Sequence, residues 1–357
     1  MWPDRRLLDL FGIEYPIVLA PMAGAMDSEL VVEVSEAGGL GSLPCAMLSA
    51  EKSLEQVEQI RTRTNKPFNL NFFCHQPPAP DNAREASWRD RLKSYYVELG
   101  LDPNAPINVA VRAPFNEALC AMVEEVRPAV ASFHFGLPAP NLLERVKAAG
   151  CKVLSSATTA AEARWLEERG ADAIIAQGNE AGGHRGIFLS DDISTQAGTF
   201  ALVPQVVDAV KVPVIAAGGI ADARGIAAAF ALGAVGVQIG TAYLHCPESK
   251  ISGPHRKALK DAQDDSTVLT NVMTGRPARG IVNRVIREQG PIGEVPAFPN
   301  AANAIAPLRA AAEKAGSGNF SPLWSGQAAA LGRPLPAGEL TRKLAAEART
   351  LLKGLAG

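Results

Sequence analysis

Residues 160–186 read AAEARWLEERGADAIIAQGNEAGGHRG, and the order of the patterns within them indicates the fold. Residues 160–169 have the spacing of an amphipathic helix, which Gly170 ends. The apolar segment at residues 173–176 has the length and composition of a buried strand, and a glycine-rich segment follows it. A capped helix followed directly by a buried strand is typical of a parallel βαβ unit.

The same helix–glycine–strand unit recurs elsewhere in the chain. Helical patterns that end at Gly38, Gly150 and Gly233 are each followed by a short apolar segment. We identify eight candidate strands, at residues 17–20, 41–43, 68–73, 130–135, 153–157, 173–177, 214–217 and 235–240. Eight parallel strands favour a closed barrel over an open doubly wound sheet, so the sequence predicts an α/β protein with a (β/α)8 TIM barrel.

The segments outside this repeat predict additions to the barrel. We assign the barrel itself to residues 1–246, with an elaborated, proline-rich loop at residues 76–106. Residues 247–319 show no strand pattern, and we expect them to form a mostly helical subdomain at the barrel mouth. Residues 320–357 end in an amphipathic helix that we expect to return to the barrel.

Bulk composition narrows the class of protein. The 357 residues are 47% hydrophobic and carry a net charge of −2, which predicts a large core and no nucleic-acid partner. The N-terminal residues lack the apolar region of a secretory signal, and no apolar run reaches the length of a membrane span. The five cysteines form no C-x-x-C pair, and the histidines lack zinc-ligand spacing. We expect a cytoplasmic protein with no metal and no membrane association.

Active sites of barrels lie where the strands end and the following loops begin. The first strand ends in small residues that let the backbone approach a flat ligand: Pro21, Met22, Ala23 and Gly24. A tight turn is the competing interpretation of this segment. Asn71 ends the third strand, where an inward amide can bind a polar ring edge or, alternatively, satisfy a loop backbone.

His134 ends the fourth strand between two phenylalanines and a glycine turn. A histidine at this position can donate a hydrogen bond to a substrate, or take a proton from it, near neutral pH. A core histidine bonded to a carbonyl is the alternative. The position at a strand end favours a catalytic role for His134.

The glycine-rich segment after the sixth strand is the most informative part of the chain. Gln177 offers both a donor and an acceptor to a ring edge. Glycines at close intervals allow the backbone to present N–H groups to a ligand; they are Gly178, Gly182, Gly183 and Gly186. We interpret His184, in the same segment, as a loop anchor rather than a second catalytic group.

Glycines after the seventh and eighth strands predict a phosphate site. The residues that we assign to this site are Gly218 and Gly219 after the seventh strand and Gln238, Ile239, Gly240 and Thr241 at the end of the eighth. Barrels commonly bind phosphate with backbone N–H groups of these two loops. Pyridoxal phosphate chemistry requires a lysine at a strand end, and aldolase chemistry requires either such a lysine or a metal cluster. The eight strand ends carry neither. FMN needs apolar walls, a few polar contacts and a phosphate cradle, and it is the cofactor that the sequence favours.

These residues resemble the class I set of the nitronate monooxygenase family, formerly called 2-nitropropane dioxygenases. The matching segments are PIVLAPMAG at 16–24, SFHFG at 132–136, AQGNEAGGHRG at 176–186 and AAGGI at 216–220. Two later segments, TGRPARG at 274–280 and WSGQ at 324–327, are also similar to the family. The resemblance covers nearly the whole chain, and the 176–186 segment is its most specific part.

The resemblance implies a role for each matching residue. His134 corresponds to the catalytic histidine, and Asn71 and Gln177 contact the polar edge of the flavin or its ribityl chain. The apolar side of the ring lies along Pro21, Met22, Ala23 and Gly24. The remaining cofactor-binding residues, around the ribityl phosphate, are Gly182, Gly183, Gly218, Gly219, Gln238, Ile239, Gly240 and Thr241.

The implied reaction is the oxidation of an alkyl nitronate, such as propionate 3-nitronate, by O2. The products are a carbonyl compound and nitrite or nitrate. We hypothesise that His134 stabilises the negative charge of the nitro group, or removes the α-proton if neutral nitroalkanes also react. The partners expected are therefore a small nitronate or nitroalkane and O2, and a homodimer is compatible with the sequence.

Two other functions stay open at this point. An FMN barrel that reduces quinones or enoyl-acyl-carrier-protein substrates shares the phosphate cradle and a Gly-Gly-His stretch, but it uses NAD(P)H. The form of the 176–186 segment favours the monooxygenase. A flavin-binding or partner-binding barrel without activity is the third possibility, and His134 at a strand end argues against it.

Overall fold

The computed structural model describes residues 2–107 and 113–356 and contains a closed parallel barrel. Within these residues the strands are β1 (Ile17–Leu19), β2 (Gly41–Pro44), β3 (Phe68–Phe73), β4 (Val130–His134), β5 (Lys152–Ala157), β6 (Ala173–Gln177), β7 (Gly183–His184), β8 (Val214–Ala217), β9 (Gly236–Ile239), β10 (Thr267–Thr270) and β11 (Ala278–Ile281). The barrel follows the order β1-β9-β8-β6-β5-β4-β3-β2, with every pair parallel. A parallel bridge between Val18 and Leu40 joins its first and last members. The predicted TIM barrel is therefore confirmed, and the ends of its eight strands differ from the prediction by one residue at most.

Helices surround the barrel. They are α1 (Arg6–Phe11), α2 (Ser28–Glu36), α3 (Ala50–Arg63), α4 (Asn82–Glu98), α5 (Glu117–Val126), α6 (Pro140–Ala148), α7 (Ala160–Glu168), α8 (Thr199–Ala209), α9 (Ala223–Ala231), α10 (Thr241–Leu244), α11 (Gly253–Asp261), α12 (Arg284–Gln289), α13 (Ala301–Lys314) and α14 (Ala337–Ala356). Short polar side chains start several of them. Asp27, Thr159 and Asp222 each accept a hydrogen bond from a backbone N–H of the first turn.

The main core lies between the barrel strands and these helices. Fully buried residues such as Ile17, Leu70 and Val153 come from the strands, and the helices add their apolar faces. The C-terminal helix α14 packs against α2 and α9, with Leu340 and Leu344 inside the barrel's core. The last segment of the chain therefore covers the outside of the barrel.

The expectation that residues 247–319 contain no strand was wrong. Strands β10 and β11 pair antiparallel there, and β11 also pairs with β7, so that three strands form a second sheet. The sequence signal was weak because each strand has four residues, β10 is only partly buried, and β11 contains Arg279 and Gly280. This small sheet attaches the glycine-rich segment after β6 to the C-terminal addition.

The added subdomain has a core of its own. Helix α4, from the loop predicted at residues 76–106, packs against α13 in this second cluster. The indole N–H of Trp88 donates to the carbonyl of Ala301 at 3.1 Å, and the hydroxyl of Tyr96 donates to that of Ala304 at 2.6 Å. Two distant parts of the sequence thus build one mostly helical addition, and the boundaries at residues 246 and 319 stay a prediction.

Candidate active site

A cavity of about 450 Å³ opens at the carboxyl ends of the barrel strands. The site residues predicted from the sequence line it, with one exception: Pro21, Met22, Ala23, Gly24, Asn71, His134, Gln177, Gly182, Gly183, Gly218, Gly219, Gln238, Gly240 and Thr241. The exception is Ile239, whose side chain is 1% exposed in the core. Because side chains alternate along a strand, Gln238 faces the cavity and Ile239 faces away from it. The side chain of Ile239 therefore does not line the cavity, and its assignment to the cofactor-binding residues stays a prediction.

Glycines allow three loops to meet at one side of the cavity. A Cβ atom on Gly182 would lie 2.5 Å from the backbone nitrogen of Gly326, and one on Gly218 would lie 2.8 Å from Oγ1 of Thr199. Gly218 and Gly219 also have φ values of 112° and 69°, which L side chains rarely adopt. The wall on this side consequently consists of backbone, as a phosphate cradle requires. We call Gly218 and Gly219 after β8, together with Gln238, Gly240 and Thr241 at the end of β9, the cradle.

The cradle contains a polar atom that has no hydrogen-bond partner in the described part of the chain. Among the described residues, nothing donates a hydrogen bond to the buried Oε1 of Gln238. Oγ1 of Thr241 accepts from the N–H of Gly326 at 2.9 Å, and its own hydrogen is still available for donation. A buried acceptor of this kind is costly unless a ligand satisfies it. With the apolar wall after β1, the cradle fits a ligand that joins a flat ring system to hydroxyl and phosphate groups, as FMN does.

His134 lies at the opposite side, and its two ring nitrogens have different partners. Nε2 is 3.2 Å from the backbone carbonyl oxygen of His184, and Nδ1 is 3.1 Å from the hydroxyl of Ser156. A carbonyl only accepts, so Nε2 carries the hydrogen and Nδ1 accepts from Ser156. Burial, which is opposed by the hydrogen bond to the His184 carbonyl and assisted by the charges of Arg276 and Arg185, lowers the pKa of His134 to about 3. His134 is consequently neutral at pH 7.

The side-chain amide of Gln177 is held by the segment that follows it. Its Nε2 donates to the carbonyl of His184 at 3.0 Å, and its Oε1 accepts from the N–H of Gly186 at 2.7 Å. A Cβ on Gly186 would lie 3.0 Å from both Cε1 of His134 and Cβ of Ser156. Gln177 therefore orients this segment, and it keeps one N–H for a ligand.

Asn71 is oriented in a similar way. Its Nδ2 donates to the hydroxyl of Ser132 at 2.9 Å, and Asn69 donates to the same hydroxyl at 2.9 Å. The two amides and Ser132 thus form a buried polar layer under the cavity. The sequence left two roles open for Asn71, a structural role and a ligand-binding role. Both fit this geometry, because Asn71 is held by Ser132 and also lines the cavity.

Charged residues of the glycine-rich segment are anchors, which the sequence did not reveal. Arg185 is 0% exposed and donates to the carbonyls of Gly178 at 2.6 Å and Gln177 at 2.7 Å. Burial lowers the pKa of Arg185 to about 10. Glu180 accepts from the N–H and the hydroxyl of Thr199 at the start of α8. These contacts fix the backbone of the segment against the end of β6.

The C-terminal addition supplies further lining residues that the sequence did not predict. Trp324, Thr274 and His255 line the cavity, and Trp324 lies beside the ring of His184 at 5.6 Å between centroids. Nε2 of His184 is 2.9 Å from the hydroxyl of Thr274. This contact agrees with the interpretation of His184 as an anchor. The resemblance of residues 274–280 and 324–327 to the family was the signal that pointed to this wall.

Residues 2–107 and 113–356 contain no group of His, Cys, Asp or Glu side chains that could hold a metal ion. In the same part of the chain, no helix is long and apolar enough to cross a membrane.

Comparison with known protein families identifies relatives over almost the entire chain. The family described as nitronate monooxygenase matches residues 4–347. A protein of Pseudomonas aeruginosa named nitronate monooxygenase is 44% identical over 96% of this chain and 99% of its own length. A protein of the same name from Paraburkholderia phytofirmans is 42% identical over 98% of this chain and 97% of its own.

Solved structures are similar over the same extent. A nitroalkane oxidase from Streptomyces ansochromogenes superimposes with a TM-score of 0.89 at 40% identity, covering 98% of this chain and 99% of the other. FabK from Thermotoga maritima superimposes with a TM-score of 0.73 at 28% identity, covering 99% of this chain and 98% of the other.

Proposed function

The chain belongs to the nitronate monooxygenase family, and from this premise we propose that it is an FMN-dependent enzyme that oxidises alkyl nitronates with O2. Propionate 3-nitronate is a suitable substrate, and the products are a carbonyl compound and nitrite or nitrate. The observation that carries the proposal is the position of His134, a neutral catalytic candidate that faces the cradle across one cavity.

The residues of the cradle would hold FMN. Gly219, Gly240 and Thr241 would bind the phosphate through backbone and hydroxyl donors, and Gln238 would accept a hydrogen bond from the ribityl chain. The small residues at 21–24 would lie along the ring. Bound FMN would supply the electron acceptor that couples nitronate oxidation to O2.

The side of the cavity around His134 suits an anionic substrate. The same positive charges of Arg276 and Arg185 that lower the pKa of His134 favour a nitronate anion near its ring. Phe73 lies 5.8 Å from the His134 ring between centroids, and together with Trp324 it gives this side an aromatic wall. Such a wall excludes water and strengthens electrostatic interactions with the substrate.

The test is anaerobic mixing of purified protein with propionate 3-nitronate and, separately, with NADH and NADPH. We expect the flavin spectrum to change with the nitronate and to stay unchanged with the pyridine nucleotides. Rapid bleaching by NADH or NADPH without any response to nitronate would replace the proposal by the NAD(P)H-using reductase of the same barrel class.

Two further expectations accompany this proposal and rest on the sequence. We propose a cytoplasmic location, from the scattered cysteines, and a homodimer as the oligomeric state to test.

A further inference from the structure

A second cavity, of about 860 Å³, lies beside the cavity of the candidate active site, and the two cavities share no lining residue. Its walls come from the loops after β3, β4 and β7 and from helices α6 and α7. Phe135 separates the two, because its ring lies 4.4 Å from the ring of His134 between centroids. A ligand in the second cavity would therefore lie one side chain away from the active site.

The second cavity is lined by three cations, and they differ in their ion pairs. Lys147 pairs with Asp172 at 3.6 Å. Arg169 pairs with Glu168 at 3.8 Å. In residues 2–107 and 113–356, no carboxylate forms such a pair with Arg276. The positive charge of Arg276 is therefore available to an anion that enters the cavity.

Arg276 also has a buried donor to spare. Its Nε is buried and has no hydrogen-bond partner in the described residues, while one terminal nitrogen donates to the carbonyl of Ile187. Burial lowers the pKa of Arg276 in spite of the charges of Asp191 and Glu162, which raise it. An unsatisfied buried donor is costly. An anion beside Arg276 would supply both an acceptor and a compensating charge.

Aromatic rings line the cavity around this arginine. The guanidinium carbon of Arg276 lies 4.0 Å from the centroid of the Phe135 ring. Trp165 and Phe188, which also line the cavity, form an edge-to-face pair with centroids 5.1 Å apart. Aromatic walls bind flat apolar groups, and a guanidinium matches the two oxygens of a carboxylate. The second cavity therefore fits a carboxylic acid with an aromatic body.

The charge of Arg276 also reaches the active site. It is one of the two positive charges that act on His134 across the Phe135 ring, and it favours an anionic substrate there. A carboxylate bound to Arg276 would offset this charge. We propose that the second cavity binds an aromatic carboxylic acid at Arg276 and that its occupancy weakens nitronate binding in the active site. The effect on nitronate rests on the proposed function, whereas the binding site does not.

Calorimetric titration of the FMN-loaded protein with benzoate tests the site. Benzamide is the matched ligand, since it has the same ring without the charge. We expect saturable binding of one benzoate per chain and at least about tenfold weaker binding of benzamide, because the carboxylate is the group that pairs with Arg276. Arg276→Met should weaken benzoate binding by a similar factor. Equal affinities for the two ligands, or no saturable binding of benzoate, would overturn the inference.

A substitution at an exposed position makes the test independent of the folding of Arg276→Met. Ala139 is exposed, precedes α6 and lines the second cavity, so the large side chain in Ala139→Trp should fill the cavity and abolish benzoate binding. Ala148→Trp is the matched control at an exposed position of the same helix outside the cavity, and it should bind benzoate as the wild type does. Unchanged benzoate affinity in Ala139→Trp would place the ligand elsewhere and refute the proposed site.

Kinetics with ethyl nitronate, which carries no carboxylate of its own, test the coupling. Because the cavities share no lining residue, both ligands can bind at once, and benzoate should lower kcat/KM for ethyl nitronate about fivefold and then reach a plateau. Benzoate should have no such effect on Ala139→Trp. A decrease without limit would place benzoate in the active site, and either that result or no decrease at all would overturn the inference. An enzyme that binds benzoate but never oxidises ethyl nitronate would overturn the proposed function and, with it, the coupling.

Discussion

The two sides of the cavity are built on different principles. On the side of His134, the polar side chains already have partners within the protein: His134 contacts the hydroxyl of Ser156, and His134 and Gln177 both donate to the backbone carbonyl of His184. On the side of the cradle, glycine backbone forms the wall, and Oε1 of Gln238 is buried without a donor in the described chain. The first side is preorganised for chemistry, and the second is completed only when a ligand binds.

This difference predicts that substitutions will separate into two groups. Changes beside His134 should alter turnover and leave ligand affinity nearly unchanged. Changes in the cradle should alter the affinity for FMN and the stability gained from it, since a ligand that binds only the folded state stabilises it.

The largest effect is expected for His134→Asn. The substitution removes the ring that faces the substrate, and kcat/KM for propionate 3-nitronate should fall by about 10²-fold or more. The FMN content of the purified protein should stay that of the wild type, because the cradle is unaltered. Full turnover with an unchanged KM would refute both roles proposed for His134.

A glycine in the loop that packs beside the cradle should show the opposite behaviour. In Gly182→Ala, the new Cβ would lie 2.5 Å from the backbone nitrogen of Gly326, so the two loops must separate. We expect the Kd for FMN, measured by flavin fluorescence, to rise about tenfold to a hundredfold, which corresponds to an overpacking cost of about 1–3 kcal/mol. Gly354→Ala is the control, since its Cβ would meet nothing within 4 Å. Unchanged FMN affinity in Gly182→Ala would show that the loop contact does not support the cradle.

A substitution in the glycine-rich segment between the two sides should lower the stability of the protein. Arg185→Met removes a buried guanidinium that donates to the carbonyls of Gln177 and Gly178, and we expect a loss of about 2 kcal/mol in the free energy of unfolding. Urea denaturation of the FMN-free protein measures it. The matched control is Arg5→Met, which removes an exposed arginine from a surface ion pair. Equal stabilities of the two variants would contradict the anchoring role of Arg185.

The sequence predicted the side of the cavity that depends on strand ends better than the parts that depend on long-range contacts. Strand periodicity and glycine stops located the eight strands, and so they located His134 and Gln177. Burial of Arg185 was not predictable, because a charged residue in a glycine-rich segment has the same local pattern whether it anchors the loop or meets substrate. Trp324 and Thr274 reach the cavity through the antiparallel pair β10–β11, whose short strands carry little periodic signal. Ile239 was assigned to the site with its neighbours, although alternation along β9 turns its side chain away.

The smallest effect, and the most direct comparison of the two sides, is expected for Gln238→Leu. In the FMN-free protein this change replaces a buried acceptor, for which residues 2–107 and 113–356 supply no donor, with an apolar group of similar size, so stability should rise by about 1 kcal/mol. With saturating FMN the same change should cost a hydrogen bond, and the increase in Tm on adding FMN should be smaller than in the wild type. Asn71→Leu is the matched test on the other side, where the amide already donates to Ser132 at 2.9 Å. That variant should lose stability with or without FMN. If Gln238→Leu also destabilised the FMN-free protein, Oε1 of Gln238 would already have a hydrogen-bond partner without FMN. The contrast between the two sides would then disappear.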